Sequence, residues 1–328
     1  MAEVTGYKVA VVGAGGVGGY FGGRIAASGA DTTFIVRGRT LEALHARGLR
    51  VESINGDFAI DRVKATDRPA ETVDAVLMTV KAWQIREAAE QIKPMLRDDT
   101  IVVPLENGID GPEQLASVLP SRNVAGGLCA IVSFVVEPGV IRHAGAQPFV
   151  MLGELDNRVT PRAERLRDVM RAAGITADIP ENIHKSMWSK FVFIAAMSGV
   201  GAATRVPVGV WRTMPETRVL AENAIREVVA VAAARGVKLD DDILARTMQR
   251  YDSLPLDATS SLQRDVMAGK PSELDAQLGA AVRLGRESGV PTPVLETLYH
   301  ALLPQERAAR GSERRASRPQ SSGVPPGD

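Results

Sequence analysis

The sequence lacks the residues that mark disulfide-rich, metal-binding and nucleic-acid-binding proteins. Its 328 residues include a single cysteine, Cys129, which excludes an internal disulfide and favours a reducing compartment. The four histidines have no spacing typical of metal ligands, so we predict no metal site. The formal net charge is zero, which gives no electrostatic reason to expect nucleic acid or an anionic membrane as a partner.

A signal peptide and a long apolar run are lacking as well. Residues 1–8 are too short and too polar for a signal peptide. We expect no stretch with the roughly 20 apolar residues that a membrane span requires. These absences favour a cytoplasmic protein with no membrane partner. What is present is an ordinary globular composition, 45% hydrophobic and 24% charged, over a length that suits two domains.

The first part of the chain alternates between strand and helix patterns. Short buried strands are predicted at Tyr7–Val12, Thr32–Val36, Ala75–Val80 and Thr100–Leu105. Strands that alternate with helices indicate an α/β fold, with a doubly wound, Rossmann-like parallel sheet. Residues 124–152 are predicted to add antiparallel strands to this sheet, and Asn55-Gly56 is a hairpin turn signal. We therefore predict a dinucleotide-binding domain over residues 1–179.

The pattern changes near Pro180, after which only helical periodicity is found. We predict an all-helical second domain over residues 180–304. Within it, Ser272-Glu273-Leu274-Asp275 resembles a capping box that opens a helix, with Asp275 in place of the usual Glu. Residues 305–328 are rich in Arg, Ser, Pro and Gly, and we predict a disordered tail there.

A glycine motif follows the first predicted strand and opens the next helix. Gly13, Gly15 and Gly18 have the spacing G-x-G-x-x-G. The first glycine of this motif permits a tight turn, the second lets the backbone approach a pyrophosphate, and the third lets helix pack on strand. The helix N-terminus then meets the phosphates with free N–H groups and its dipole. The predicted cofactor-binding turn comprises Gly13, Ala14, Gly15, Gly16, Val17 and Gly18.

The end of the second predicted strand indicates which dinucleotide is bound. NAD sites usually place an acidic residue there, whereas NADP sites accommodate the 2′-phosphate with a cation. This chain has Val36-Arg37-Gly38-Arg39, with no carboxylate. Arg37 offers a planar fork to a phosphate, and Arg39 is placed to assist. We predict NADP(H), although two solvated loop arginines would give the same pattern.

Polar side chains follow two further strands, where a doubly wound sheet binds its ligands. Lys81 comes directly after the strand predicted at Ala75–Val80, and Asn107 comes after the strand predicted at Thr100–Leu105. A lysine after a strand is usually a surface charge. Two strand ends that offer polar groups to one crevice are more suggestive of a site.

Together these residues resemble the ketopantoate reductases (2-dehydropantoate 2-reductases), and the likeness runs from Lys8 to about Leu303. It is carried by the glycine turn with Gly19-Tyr20, Arg37-Gly38-Arg39, Lys81-Ala82-Trp83-Gln84, Asn107-Gly108, Met187-Trp188-Ser189-Lys190, Ser260-Ser261-Leu262-Gln263 and Pro271-Ser272-Glu273-Leu274-Asp275. The resemblance implies a Rossmann-like domain and a helical domain similar to that of 6-phosphogluconate dehydrogenase. It also implies an active site between the two.

The resemblance also implies roles for single residues. Lys190 would be the proton donor, and Lys81 and Asn107 would lie near the nicotinamide, with Asn107 reaching the substrate as well. Glu273 would contact the cofactor's ribose and Ser261 the substrate. Ser133 falls near a position where the family makes a backbone contact to the cofactor.

Two of these residues have ordinary structural explanations. Lys190 stands among Met187, Trp188 and Phe191, where an ammonium group is placed to bond a ketone and deliver a proton, but a lysine can also extend from a partly buried helix into water. Glu273 stands in the first turn of a predicted helix, where a carboxylate complements the helix dipole.

The sequence departs from the family where the substrate is held. Ketopantoate reductases have asparagines four and often eight residues after the catalytic lysine, and a third later. Those positions are Ile194, Ser198 and Val208 in this chain. Ser198 keeps a polar group and remains a candidate substrate contact, whereas Ile194 removes two donors and an acceptor. An apolar wall favours a bulkier or less hydroxylated 2-oxo acid.

The sequence therefore predicts an NADPH-dependent reduction of 2-dehydropantoate to pantoate, a step of pantothenate biosynthesis. A paralogous reductase of another, less polar 2-oxo acid is the alternative within the same class. A non-catalytic NADP(H)-binding regulator is the alternative from a different class, since it would keep the glycine turn but not need Lys190. The apolar helical domain is compatible with a homodimer.

Overall fold

The computed structural model describes residues 6–316 and divides into two compact units. The first comprises Met1–Phe191 with Val237–Leu239, and the second comprises Val192–Gly236 with Asp240–Asp328. The strands of the described chain are β1 (Lys8–Val12), β2 (Asp31–Ile35), β3 (Leu49–Ser53), β4 (Phe58–Ile60), β5 (Lys64–Thr66), β6 (Ala75–Met78), β7 (Ile101–Pro104), β8 (Ala125–Glu137), β9 (Val140–Glu154) and β10 (Thr176–Asp178).

A five-stranded parallel sheet forms the core of the first unit. Its order is β5-β2-β1-β6-β7, and every neighbouring pair is parallel. All residues of β6 and β7 are buried, as expected for strands covered on both faces. The predicted α/β fold with a doubly wound parallel sheet is confirmed.

The described chain contains twelve α-helices. They are α1 (Gly16–Ala27), α2 (Gly38–Arg47), α3 (Ile85–Ile92), α4 (Gly111–Ala116), α5 (Pro161–Ala172), α6 (Ile183–Thr204), α7 (Val208–Trp211), α8 (Pro215–Ala234), α9 (Ile243–Ser253), α10 (Ser261–Met267), α11 (Ala280–Glu287) and α12 (Pro293–Ala316). Helix α1 ends just before Gly29, whose φ of +95° favours glycine. Among the described residues no strand follows β10, so the predicted helical second part is confirmed.

The long hairpin of β8 and β9 belongs to a second sheet, and the prediction that residues 124–152 extend the first sheet is wrong. The second sheet has the order β10-β9-β3-β4, with β8 on β9. The hairpin belongs there because β9 pairs in parallel with β3 over Arg50–Ser53 and, further along the strand, with β10 over Thr176–Asp178. An isolated bridge joins Val102 to Val124. The turn at Gly56, with φ +99°, does connect antiparallel β3 and β4 as predicted.

Helix α6 corrects the expectation that no segment approaches the length of a membrane span. By length and composition its 22 residues are sufficient to cross a bilayer. However, 67% of its most apolar window is buried inside the protein. Such burial is typical of a core helix in a soluble protein, and the segment is best described as one.

The C-terminal predictions need two corrections. Helix α12 continues to Ala316 and buries Glu306 and Ala309, so residues 305–316 are not a disordered tail, while residues 317–328 lie outside the described chain. No capping box forms at Ser272. Its hydroxyl donates to the Glu306 carboxylate and accepts from the N–H of Leu274, and a π-helical turn at Asp275–Gly279 follows. The sequence pattern supplied a local partner in Asp275, but a distant glutamate bonds Ser272 instead.

Candidate dinucleotide-binding and catalytic site

The glycine turn between β1 and α1 is fixed by backbone contacts that exclude larger residues. Gly13 has φ +96°, and its N–H donates to the carbonyl of Ile35 at 3.0 Å. A Cβ on Gly18 would lie 2.0 Å from the Gly13 carbonyl oxygen, so helix and strand approach this closely only with glycine. Thr79, just after β6, donates its hydroxyl to the carbonyls of Val12 and Gly13 at 2.8 Å. The turn is therefore held rigidly at the end of β1.

The N-terminus of α1 is suited to an anion. Gly15 is the N-cap residue, no side chain caps the helix, and its first turn contains no acidic residue. A Cβ on Gly15 would have no atom within 4 Å, so open space lies in front of the turn. The first N–H groups of a helix have no acceptor within it and point outward. The residues present therefore fit the pyrophosphate of a dinucleotide.

Ser133 of β8 lies directly against this turn. A Cβ on Gly16 would be 2.6 Å from the Ser133 carbonyl oxygen. The Ser133 hydroxyl oxygen is buried and has no hydrogen-bond partner within residues 6–316. The structure thus brings Ser133 to the glycine turn, next to the predicted cofactor site. Its backbone contact with the cofactor stays a prediction.

Arg37 lies at the N-cap of α2, beyond the end of β2. Its guanidinium forms an ion pair with Glu87 at 2.6 Å, and both side chains are 67% exposed. Arg39 is exposed in the first turn of α2, and this turn contains no acidic residue. The arrangement leaves a cationic helix N-terminus at the position where a 2′-phosphate is expected. The Glu87 carboxylate would compete with this phosphate for the Arg37 guanidinium.

Lys81 and Asn107 follow adjacent parallel strands. The N–H of Leu105, after β7, donates to the carbonyl of Met78, the last residue of β6. This bond aligns the two strand ends, so the half-buried Lys81 and Asn107 lie at the same edge of the sheet. The Lys81 ammonium nitrogen lies 5.9 Å from the centroid of the Trp83 ring. The positions agree with the predicted edge of the sheet, while their roles remain predictions.

Strand β8 connects the glycine turn to the helix that carries Lys190. Near its middle, the buried Cys129 thiol contacts the Leu105 carbonyl oxygen at 3.4 Å. At its beginning, a Cβ on Gly126 would be 2.6 Å from Ile183 and 3.1 Å from the Met187 sulfur atom, both in α6. One strand therefore contacts α6, the end of β7 and, through Ser133, the glycine turn.

Lys190 is half-buried on α6, among apolar side chains. Met187, three residues earlier, is on the same side of the helix and 7% exposed. Trp188 and Phe191 are buried and pack edge to face at 5.7 Å between ring centroids. Met187 is therefore an apolar neighbour of Lys190 on its own side of the helix, while the proton-donor role of Lys190 stays a prediction.

The remaining predicted residues belong to the second unit, which is described by itself. Ser261 is half-buried at the start of α10, where Ser260 caps the helix by accepting from the Gln263 N–H at 3.0 Å. Glu273 is 6% exposed, just before the π-helical turn. Ser198 is fully buried in α6, and its hydroxyl has no partner in the described part of the chain.

Two of the three positions that depart from the ketopantoate reductase pattern are apolar, and both lie in the second unit. Val208 is fully buried and Ile194 is half-buried.

Sequence reasoning missed two further polar residues, Thr79 and Gln277. Thr79 falls inside the strand predicted at Ala75–Val80, and its contact with the glycine turn appears only in the folded chain. Gln277 stands in an apolar helical run and gives no local signal.

The parallel sheet, the glycine turn and the uncapped N-terminus of α1 define a Rossmann-type dinucleotide-binding unit. Two family models match the chain: "Ketopantoate reductase PanE/ApbA" over residues 9–157 and "Ketopantoate reductase PanE/ApbA C terminal" over residues 182–306. Together they match well over half of the sequence. The chain belongs to the ketopantoate reductase family, a family of NAD(P)-dependent oxidoreductases.

Two curated relatives align over most of this chain. An uncharacterized oxidoreductase, YkpB, of Bacillus subtilis (strain 168) is 31% identical over 292 residues, covering 89% of this chain and 96% of the relative. A 2-dehydropantoate 2-reductase of Archaeoglobus fulgidus is 31% identical over 293 residues, with the same two coverages. The similarity therefore extends through both units.

Two solved structures share the fold. The PanE/ApbA family ketopantoate reductase from Ralstonia eutropha JMP134 has a TM-score of 0.84 and 30% identity, covering 92% of this chain and 99% of that one. A D-mandelate dehydrogenase in complex with NADH and anilino(oxo)acetate has a TM-score of 0.85 and 23% identity, with the same coverages. The second likeness is one of fold alone.

Proposed function

We propose that the protein reduces a 2-oxo acid with NADPH, and that 2-dehydropantoate, reduced to pantoate in pantothenate biosynthesis, is the first candidate substrate. The observation that carries this proposal is Lys190, half-buried on a helix that packs on the same strand as the glycine turn. The curated relative with 31% identity, a 2-dehydropantoate 2-reductase, supports the substrate.

NADP(H) is the proposed cofactor because of the end of β2. Arg37 and Arg39 are exposed at the N-terminus of α2, and no carboxylate stands where NAD sites usually have one. The glycine turn and Ser133 would hold the pyrophosphate side of the dinucleotide. When bound, the reduced nicotinamide supplies the hydride that adds to the C2 ketone.

Lys190 acts as the acid in this proposal. Its ammonium group donates a hydrogen bond to the ketone oxygen and transfers a proton to it, and solvent then reprotonates the amine. Negative charge grows on that oxygen during the reaction, so a fixed cation stabilises the transition state more than the ground state. Such acid assistance is worth about 100- to 10,000-fold in rate. Asn107, Ser198 and Ser261 would orient the substrate.

A less polar 2-oxo acid is the second candidate. Ile194 and Val208 are apolar where ketopantoate reductases hold their substrate with asparagine, and a wall without amide groups loses the bonds that select a hydroxylated acid. The shared fold does not decide between the two candidates, since function depends on the site and not on the fold.

A substrate panel tests the proposal. Purified protein is assayed by NADPH absorbance with 2-dehydropantoate and with less polar 2-oxo acids, and each assay is repeated with NADH. We expect turnover of at least one acid, with NADPH preferred. Strong turnover of an apolar acid beside negligible turnover of 2-dehydropantoate selects the second candidate. NADPH binding without turnover of any acid favours a non-catalytic regulator instead.

Lys190→Ala provides the matched test of the acid. We expect kcat to fall about 100-fold or more while NADPH still binds. Lys185→Ala removes a lysine from the same helix and serves as the control, with activity close to that of the parent. Equal activity in the two variants would show that Lys190 does not supply the proton.

The proposal also covers the setting of the enzyme. We propose a cytoplasmic enzyme, because one cysteine in 328 residues suits a reducing compartment. A small-molecule 2-oxo acid is the partner we propose, with no nucleic acid or membrane. A homodimer remains a prediction that size-exclusion chromatography with light scattering tests.

A further inference from the structure

Gln277 is a buried amide whose hydrogen-bonding groups are not used within the protein. It lies in the π-helical turn Asp275–Gly279 of the second unit and is fully buried. Within residues 6–316, neither its Nε2 nor its Oε1 atom has a hydrogen-bond partner, and less than 1 Å² of each is exposed. Buried polar groups are nearly always paired because leaving them unpaired costs free energy. An amide retained in this state needs another explanation.

Contacts on the π-helical turn establish which way Gln277 faces. The Tyr299 hydroxyl of α12 donates to Asp275 at 3.0 Å, and a Cβ on Gly279 would be 3.0 Å from the Tyr299 ring. Asp275 and Gly279 therefore face α12. Gln277 lies two residues from each, about half a helical turn, and points away from α12. Its N–H donates to the Glu273 carbonyl at 3.0 Å, which places it one turn beyond Glu273 on the same side.

A second buried polar group without a partner lies on a helix that touches this turn. The Ser198 hydroxyl of α6 is fully buried and has no partner in the part of the chain that is described. A Cβ on Gly199 would be 3.1 Å from Leu278, so the two elements are in contact. Ser198 and Gln277 each precede one of these two contacting residues. Two unsatisfied polar side chains thus lie on neighbouring elements.

The other buried amide among the described residues of this unit has a hydrogen-bond partner. Gln263 is 1% exposed, and its Nε2 donates to the Val206 carbonyl at 3.0 Å. Gln263 thus has a structural role through its hydrogen bond, whereas Gln277 has no such bond among the described residues. The π-helical turn is a further reason to expect a ligand-binding role for Gln277, because such turns are frequent at functional sites.

We propose that Gln277, together with Ser198, is a specificity-determining residue that bonds the polar end of the 2-oxo acid. Its Nε2 would donate to a carboxylate or hydroxyl oxygen, and its Oε1 would accept from a hydroxyl group. Because the amide is closed to solvent, this contact requires a change of rotamer, which the three rotatable bonds of glutamine allow. The inference rests on the proposed function. Gln277 would supply an amide to a site in which Ile194 and Val208 stand where ketopantoate reductases have asparagine.

Gln277→Leu separates a binding role from a structural one, because leucine has a similar volume but no polar group. For a ligand-binding residue we expect KM for the 2-oxo acid to rise about tenfold, the loss of one hydrogen bond. The Kd for NADPH should be unchanged and the thermal midpoint unchanged or higher. Ser198→Ala should change KM in the same direction, and Gln277→Asn, which keeps the amide, should have a smaller effect.

Gln263→Leu is the control for the sign of the stability change. It removes a paired amide and should lower the thermal midpoint. An unchanged KM in Gln277→Leu and Ser198→Ala, beside an active parent, overturns the inference and leaves the proposed function intact. If the parent turns over no acid of the panel, the proposed function fails. Calorimetric titration of the same acids into the protein with NADP then decides the inference, and absence of binding overturns it.

Discussion

The carboxylate of Glu306 bonds both the backbone N–H and the hydroxyl of Ser272, which stands 34 residues earlier in the chain. The distances are 3.0 and 3.1 Å from the N–H and 2.6 Å from the hydroxyl. Arg310, one turn later on α12, pairs with Glu306 at 2.6 Å and donates to the Ser272 carbonyl at 2.9 Å. Helix α12 therefore fixes the residue that directly precedes Glu273.

Replacement of Glu306 should destabilise the second unit strongly. Glu306→Ala leaves a buried N–H, a hydroxyl and the Arg310 guanidinium without their acceptor. Breaking a buried, hydrogen-bonded charge pair in this way costs about 3–5 kcal/mol. Glu306→Gln keeps an acceptor oxygen and should cost less. Urea unfolding followed by circular dichroism measures both changes.

The control for this prediction lies on the same helix. Glu296 forms an exposed ion pair with Arg286, and such surface pairs contribute about 0–1 kcal/mol. Glu296→Gln should therefore change the free energy of unfolding little. If Glu306→Ala were no less stable than Glu296→Gln, the contact between Glu306 and Ser272 would not contribute to the free energy of unfolding.

The parts of the fold that sequence could predict are those that depend on local patterning. The strand and helix alternation and the turn at Gly56 follow from apolar periodicity and from residues adjacent in the chain. The Ser272 segment and the end of α12 were predicted wrongly because their partners are distant. Composition alone gave no sign that Glu306 would be buried against Ser272.

Replacement by alanine should weaken cofactor binding at Gly15 but lower the stability of the fold at Gly18. A Cβ on Gly15 meets no atom within 4 Å, so Gly15→Ala should fold as the parent does. Its methyl group would occupy the space through which the backbone approaches a pyrophosphate, and the Kd for NADPH should rise about tenfold or more. A Cβ on Gly18 would lie 2.0 Å from the Gly13 oxygen, so Gly18→Ala should lower stability by about 1–3 kcal/mol.

Calorimetric binding and thermal melts separate these two outcomes. Gly311→Ala is the matched control, since a Cβ on Gly311 also has no atom within 4 Å but lies in α12. It should leave NADPH binding unchanged. Equal NADPH affinity in Gly15→Ala and Gly311→Ala would mean that no phosphate lies at the turn.

Sequence marks the glycine turn and Arg37 as candidates through their own neighbours in the chain, and it marks Lys190 through the resemblance to the family. Gln277 could not be located in this way. Its significance depends on which groups surround it after folding, and a glutamine between alanine and leucine is compatible with an ordinary helix. The same holds for Thr79, whose hydroxyl donates to the carbonyls of Val12 and Gly13, more than 60 residues earlier.

The Arg37–Glu87 ion pair predicts how cofactor affinity can be raised. Glu87 occupies the guanidinium that would bind the 2′-phosphate of NADPH. Glu87→Gln should therefore lower the Kd for NADPH several-fold, and more at low ionic strength, because exposed charges are screened by salt. The Kd for NADH should change little. Fluorescence titration with both cofactors measures the effect.

Arg37→Ala is the complementary change and should raise the Kd for NADPH far more than that for NADH. Arg47→Ala, at the other end of α2, controls for the loss of a positive charge. An equal effect of Arg37→Ala on both cofactors would show that this arginine does not contact the 2′-phosphate. A higher NADPH Kd in Glu87→Gln would instead make Glu87 a residue that positions Arg37.

The buried pair of Glu154 and Arg162 predicts part of the protein's response to acid. Both guanidinium bonds are 2.7 Å long, and the Thr160 hydroxyl donates to the same carboxylate at 2.6 Å. Burial acts to raise the pKa of the Glu154 carboxyl, but the bonds from Arg162 and Thr160 outweigh it and hold the pKa below its ordinary value. The ionised form is therefore favoured by folding.

A lowered pKa in the folded state stabilises the protein at pH values above the unfolded pKa, and this stabilisation is lost as pH falls through the folded pKa. Glu154→Gln should reduce the free energy of unfolding at neutral pH by about 1–3 kcal/mol, since Arg162 loses a charged acceptor. The difference from the parent should shrink below about pH 4.5. Urea unfolding across this pH range measures it, and a difference that grows towards acid pH would show that the pair does not stabilise the fold.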